Sequence, residues 1–549
     1  MQPKISLLLI GVLFLVGGNL YGQSFDEKFD LWPVDLKIQG TIIACGGGEV
    51  PNDAINLVKR AASRKDSKTV VLRFAGATNL TAAKVAELLG EPEGLTQYEI
   101  ESDQTDVPLG ADAAIENANA VWVVAKKRIT KSQQSALKRV LKSTKKMVAN
   151  GGLACVEGPN AESLGEFVAA SFGDLVTIQS GSHLVPDAVI MSDYSDTEDR
   201  GELLSVLASE PQSVGIGIES NTAIVLRNRK IRVVGDGRAT FCLMANEEKP
   251  LRVLHVKQSR SRRANPYQTI VDLTAWRRDA IERTVEPFPS ADPPTPHVEN
   301  GTLIIVGGGG MPRGLMSRLV ELAGGEEAKL VYVPCSEADE ISGRQRTVET
   351  WKRMGVKSAT FIHTKDRNKA NSDSQFLAPL KDATGIWFGG GRQWNFADSY
   401  YGTEAHRLMK DVLKRGGVIG GSSAGASIQA AYMCRANPVA NFDIMAPGYE
   451  RGLGFIRGVA IDQHFSQRGR QKDMTQLVDR YPQLLGIGLD EATAIVVEKS
   501  RAEVVGRGKV HFYNRNEPVI PGTDDFLALE AGAVFDLEKR KVVETETEE

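Results

Sequence analysis

Ser423 stands in residues 421–425 (GSSAG), a G-x-S-x-G pattern that follows the apolar run 417–420 and opens a helix-like run, 426–432. A serine at a sharp strand-to-helix turn has its Oγ lifted above the sheet, next to the positive end of the following helix. Only small residues fit two positions to either side. A serine hydroxyl needs a base, and the base needs an orienting carboxylate. His464, in residues 461–465 (IDQHF), and Glu491, in residues 488–492 (GLDEA), each follow an apolar run. Strand ends at those places would carry both toward the turn. A packing loop would also give the GSSAG pattern, and a lone histidine is often structural. The chemistry available to the three together is nucleophilic attack by Ser423, with His464 as base and Glu491 as its partner. An ordinary α/β-hydrolase would place the acid before the histidine, and here that order is reversed.

The elements around these residues alternate. Residues 302–306 read as a strand, followed by a glycine turn and a helix over about 313–323. Residues 329–334, 385–388 and 418–420 read as further strands, with a helix over about 404–413 before the last. Strands alternating with helices predict an α/β layer fold with a mostly parallel sheet, and ligands at the carboxyl ends of its strands.

The pattern occurs twice. Residues 40–51 (GTIIACGGGEVP) match residues 301–312 (GTLIIVGGGGMP), 261 positions on. Residues 121–123 match 386–388 at an offset of 265, and residues 215–225 (GIGIESNTAIV) match 486–496 (GIGLDEATAIV) at 271. Offsets that rise in order indicate a duplicated domain with small insertions in the second copy. The copies span about 39–275 and 300–549, with a linker over 276–299 whose Pro-rich part is 287–296.

Residues 421–426, 462–470 (DQHFSQRGR) and 486–494 resemble the motifs of cyanophycinases, serine peptidases of the aspartyl-dipeptidase family, and residues 388–393 (FGGGRQ) resemble a fourth. The resemblance covers the second half. It implies two tandem class I glutamine-amidotransferase-like α/β domains, and a Ser423–His464–Glu491 triad working through an acyl-enzyme. It also implies an oxyanion hole built from backbone N–H groups near Gly390, Gly391 and Ala424, and no cofactor. The implied substrate is cyanophycin, a poly-aspartate backbone with arginine on each β-carboxyl, cut to β-aspartyl-arginine dipeptides. Gln393, Asp462, Gln463, Arg468 and Arg470 match positions lining the substrate site; a solvated helix start is the competing reading of the two arginines. The sequence departs from the family at Arg392, where an acidic residue is usual, and at Asp473, where a further arginine is usual. Both changes alter charge where specificity is set. Another β-aspartyl or acidic peptide therefore stays open as substrate, as does a non-catalytic two-domain binding protein.

An offset of 271 carries the triad onto Gly152, Asp193 and Ser220, none of which can serve; a smaller local offset reaches Cys155, still without a base. The first copy is expected to be catalytically silent and to pack on the second as an intrachain pseudo-dimer. Its basic clusters, at 126–146 and 257–263, read as a solvated helix face and loop, or as a grip on an acidic polymer.

Net charge is −3 over 549 residues and aromatic content is 6%, which suggests neither nucleic acid nor an anionic membrane as partner. Five scattered cysteines read as buried apolar residues, and the seven histidines lack ligand spacing for a metal. Lys4, the apolar run 5–16 and the small residues before Gln23 read as a signal peptide over 1–22, giving a secreted or periplasmic protein. An uncleaved anchor is the alternative, and no later run is long enough to span a membrane.

Overall fold

The computed structural model describes residues 32–33, 36–172, 175–259, 261 and 263–544. The expected signal peptide lies outside them. Their strands form four sheets, a large and a small one in each half.

In the second half the large sheet runs in the order Ser358–Phe361, Lys329–Val333, Gly385–Phe388, Val418–Ser422, Thr302–Val306, Thr493–Glu498, Arg501–Gly506, Val534–Asp536, Lys541–Val542. The first five strands are parallel and the remainder antiparallel. The parallel strands read as continuous apolar runs because both sheet faces are covered. Ile304, Ile305, Ile386 and Ile419 are fully buried. The large sheet of the first half has the corresponding order, with parallel strands Leu95–Ile100, Thr69–Phe74, Ala120–Val124, Leu153–Val156 and Ile38–Cys45 followed by antiparallel ones. The expected α/β class with parallel sheet cores is what the chain adopts; the antiparallel strands form the edges.

Each half also has a smaller sheet. In the second half it includes Ile456–Gln463 and Leu485–Leu489, parallel neighbours, and in the first Ala188–Ser192 and Val214–Ile218. The chain passes from the small to the large sheet through 490–492, so the short connection carrying Glu491 sits where the sheets meet.

The segment expected as linker does not begin at 276. Helix Leu273–Glu282 runs through that boundary, and every one of its residues is buried. Its Trp276 packs on Phe241 of the first half, while Arg278 lies over Tyr449 of the second, 4.3 Å from the ring centre. A helix without a solvent face has an element on every side, so this one is a shared wall between the halves. The Pro-rich residues 287–296 follow it.

Candidate active site

Ser423 has φ 59° and ψ −113°, between strand Val418–Ser422 and helix Ala424–Ser427. A non-glycine residue at positive φ is strained, and the packing here forces it. A Cβ at Gly421 would come within 2.3 Å of the Gly425 carbonyl oxygen, and one at Gly425 within 2.2 Å of the Phe388 carbonyl oxygen. Neither position admits a side chain, which is the physical content of the two glycines in the motif. Ser423 N–H is held by the Val306 carbonyl at 2.9 Å, tying the turn to the neighbouring strand.

His464 follows strand Ile456–Gln463, also at positive φ (51°), and is 8% exposed. Ser423 Oγ lies 2.9 Å from His464 Nε2, and His464 Nδ1 lies 2.6 Å from Glu491 Oε1. The Glu491 carboxylate accepts a hydrogen bond from Nδ1–H, which leaves Nε2 as the acceptor facing the serine. Burial pushes the imidazole below its ordinary range; Glu491 opposes this, and the charges of Arg468 and Arg470 add to it. The ring is therefore neutral near pH 7, the form a base requires.

The sequence reading left out the floor beneath this relay. Residues 307–310 are four glycines, read only as a turn. A Cβ at Gly308 would stand 2.5 Å from the His464 ring, and one at Gly309 2.3 Å from the Glu491 carboxyl. The loop is bare because the imidazole and carboxylate lie directly on it. Its signal in the sequence was the length of the glycine run. Gln467 was missed too: its Oε1 accepts the Glu491 backbone N–H at 2.9 Å and so fixes that short connection.

Gly390 is beside the serine, its would-be Cβ 3.6 Å from Ser423 Cβ, and Gly391 has φ 151°. The backbone N–H groups of Gly390, Gly391 and Ala424 donate to no protein acceptor among the described residues. Unpaired donors beside a nucleophile are what a developing oxyanion needs.

The five positions expected to meet substrate separate. Arg468 is exposed. Gln393, Asp462, Gln463 and Arg470 are each at most 5% exposed and bond mainly to the protein. Gln393 donates to the Cys434 carbonyl, and Asp462 accepts from Arg470 (2.9 Å) and Arg435 (2.8 Å). Arg470 also donates to Gln463. Burial is tolerable for these charges because each faces an opposite one. Asp473 is spoken for as well, accepting from Arg435 at 2.6 Å, and Arg392 donates to the Asn437 carbonyl. Arg435 is thus a cation in the specificity region that the sequence reading missed; nothing in its local motif marks it.

The first half presents the corresponding places differently. Thr41 pairs with Leu153 as Thr302 pairs with Val418, so the residue matching Ser423 is Gly158, not the expected Gly152. Gly158 has φ 56°, the same turn without a nucleophile. The 271 offset fails there because the insertion responsible for it comes later in the chain. Asp193 and Ser220 match His464 and Glu491 as expected, and Ser220 Oγ donates to Asp193. Cys155 is buried within strand Leu153–Val156, 4.0 Å from Cys45 Sγ. Among the described residues no group of three His, Cys, Asp or Glu side chains could hold a metal ion, and no helix is long and apolar enough to cross a membrane.

Residues 296–505 match the model of Peptidase family S51. A cyanophycinase from Geminocystis herdmanii is 29% identical over 199 residues, 36% of this chain and 73% of that protein. A cyanophycinase from Trichormus variabilis is 26% identical over 233 residues, 41% of this chain and 76% of that protein. Among solved structures, a peptidase from an acI-B1 Actinobacterium aligns with 43% of this chain and 97% of its own, at a TM-score of 0.33 and 23% identity.

Proposed function

Because its second half carries a peptidase family S51 domain, which makes the protein a cyanophycinase-like serine-type peptidase, we propose that it hydrolyses cyanophycin to β-aspartyl-arginine dipeptides at Ser423. The observation that carries this is the relay of 2.9 and 2.6 Å from Ser423 through His464 to Glu491. Ser423 Oγ attacks the scissile carbonyl as His464 Nε2 takes its proton, and Glu491 stabilises the imidazolium that results. The oxyanion points at the N–H groups of Gly390, Gly391 and Ala424, each such donor worth about 3 kcal/mol. The imidazolium then protonates the leaving amine, and water, deprotonated by His464, releases the acyl group from Ser423. Arg468 is the cation free to receive a substrate carboxylate, while Asp462, Arg470, Gln463 and Gln393 hold the surrounding chain in place.

The first half is, in this reading, a degenerate copy of the second that packs on it in place of a second subunit. The shared strand order and the turn at Gly158 support a common origin, and the shared wall of helix Leu273–Glu282 supports the packing. Residues 1–22 are the export signal, and the peptidase acts outside the cytoplasm.

The deciding experiment is incubation of the purified protein with insoluble cyanophycin, following soluble β-aspartyl-arginine by mass spectrometry. No dipeptide from the intact protein, with none from Ser423→Ala either, would refute the substrate. A related acidic or β-aspartyl peptide is the second reading. It is favoured by the Arg435–Asp473 pair, which neutralises charge beside the site. Asp473→Arg would set two cations together and shift the ratio of kcat/KM between β-aspartyl-arginine and β-aspartyl-lysine substrates. Unchanged ratios would remove this position from specificity.

A further inference from the structure

The basic residues of helix Lys131–Ala149 divide into two groups. Arg139 pairs with Asp106 and Asp112, and Lys146 with Glu116. Lys131, Lys138, Lys142 and Lys145 have no acidic partner among the described residues. At 3.6 residues per turn these four project within an arc of about 60°, with Arg139 and Lys146 outside it. All four line one wall of a groove of about 1040 Å³. The helix therefore neutralises the cations that face away from the groove and leaves bare those that face into it.

The groove is built for a chain. Leu137 and Leu141 supply an apolar floor along which lysine stems can lie. The lysine row is about 21 Å long at 1.5 Å per residue, the reach of six or seven extended residues. Lys138 and Lys142 are about 6 Å apart along the axis, close to the ~6.6 Å at which an extended chain repeats a side chain on one face. Four carboxylates also line the groove, those of Asp193, Asp199, Glu202 and Glu162, the last paired with Arg128. No aromatic ring lines the groove among the described residues, so it offers nucleic acid bases nothing to stack on.

We propose that this groove of the first half binds an extended polypeptide bearing carboxylate and cationic side groups, the carboxylates facing the lysine row. Binding would hold a polymer on the enzyme while its end is cut elsewhere, at Ser423. That use rests on the cyanophycin reading above; the binding itself does not. It also gives a task to the half whose Asp193, one of the residues lining the groove, stands where the other half has its histidine.

The test uses the full chain with Ser423→Ala, so that nothing is cleaved, and two probes: fluorescein-labelled poly-aspartate read by anisotropy, and insoluble cyanophycin read by co-sedimentation. Lys138→Glu/Lys142→Glu should weaken both by about tenfold or more, and added salt should weaken the parent's binding as well. Lys381→Glu/Lys539→Glu, the same change of charge elsewhere, should leave binding as it was. In the chain with Ser423 intact, the groove variant should raise KM for polymer and leave kcat and KM for a short soluble oligomer unchanged. Binding of either probe unaltered by the groove variant, an equal loss in the control pair, or tighter binding of poly-uridylate than of poly-aspartate would each overturn the proposal. A chain that binds poly-aspartate through these lysines but never cleaves cyanophycin would refute the substrate and leave the groove standing.

Discussion

Arg278 of the first half donates to Asp398 of the second at 2.8 Å, with both side chains at most 3% exposed. Asp398 also accepts from Arg229 and, at 2.6 Å, from the Tyr449 hydroxyl. Burial alone would raise its pKa, but Arg229, Arg278 and Lys365 more than offset this and hold it below the usual carboxylate range. Asp398 lies on helix Trp394–Tyr400, immediately after the glycine loop at Gly390 and Gly391. The contact between the halves is thus anchored one helix away from the serine. Asp398→Ala would leave Arg278 buried without its anion, Arg229 keeping Asp272, a loss of about 3–5 kcal/mol. Chemical denaturation would measure it; an unchanged midpoint would show the pair to be incidental.

The isolated second half would expose Asp398, Tyr449 and Trp394, now covered by Arg229 and Arg278. A fragment of residues 300–549 is expected to self-associate or lose stability, while the full chain is a compact monomer. Light scattering on both distinguishes this from two independent domains. A stable, fully active, monomeric fragment would deny the first half any role as a substitute subunit.

Ser423→Ala, His464→Ala and Glu491→Gln should each lose several orders of magnitude in kcat, and the double variants little more than the singles. Groups acting as one relay lose their function together. Additive losses in the doubles would mean that the three do not act as a unit. Circular dichroism should be unchanged in all.

His464 must be neutral to accept the serine proton, and its pKa is lowered below 6.5. The rate, kcat/KM on a short peptide, should therefore be on its plateau at neutral pH and fall as pH drops through that lowered value. Arg468 is one of the charges lowering it. Arg468→Ala would make the imidazolium easier to form and move the acid limb to higher pH. A limb that stays put or moves to lower pH would contradict this electrostatic account.

Glu157, at the place matching Ser422, is 1% exposed. Burial lifts its carboxyl to about 7 against the hydrogen bond from Trp122. The folded state thus holds a proton that the unfolded chain has already released above its ordinary carboxylate pKa. Stability should fall as pH rises from about 4.5 to 7 and level off beyond. Glu157→Gln removes that slope and should stabilise the protein at pH 8 by about 1–3 kcal/mol. Parallel stability–pH curves for the two proteins would show that Glu157 is ionised throughout.

The serine turn, the histidine and glutamate at strand ends, the doubled α/β pattern and the placement of Asp193 and Ser220 where the second half has its histidine and glutamate were all legible in the sequence. Each is a local matter: residue type, period along the chain, and steric demand within a few positions. Tertiary structure alone decided what depends on distant parts of the chain meeting. It set Gly158 opposite Ser423, because register across a sheet, not position along the chain, fixes equivalence. It also turned Asp462 and Arg470 inward onto each other and onto Arg435, and drew Arg229 and Arg278 onto Asp398. Charges in a sequence carry no sign of their partners. Which ones are neutralised, and which, like the row from Lys131 to Lys145, are left facing open space, follows only when the chain is folded.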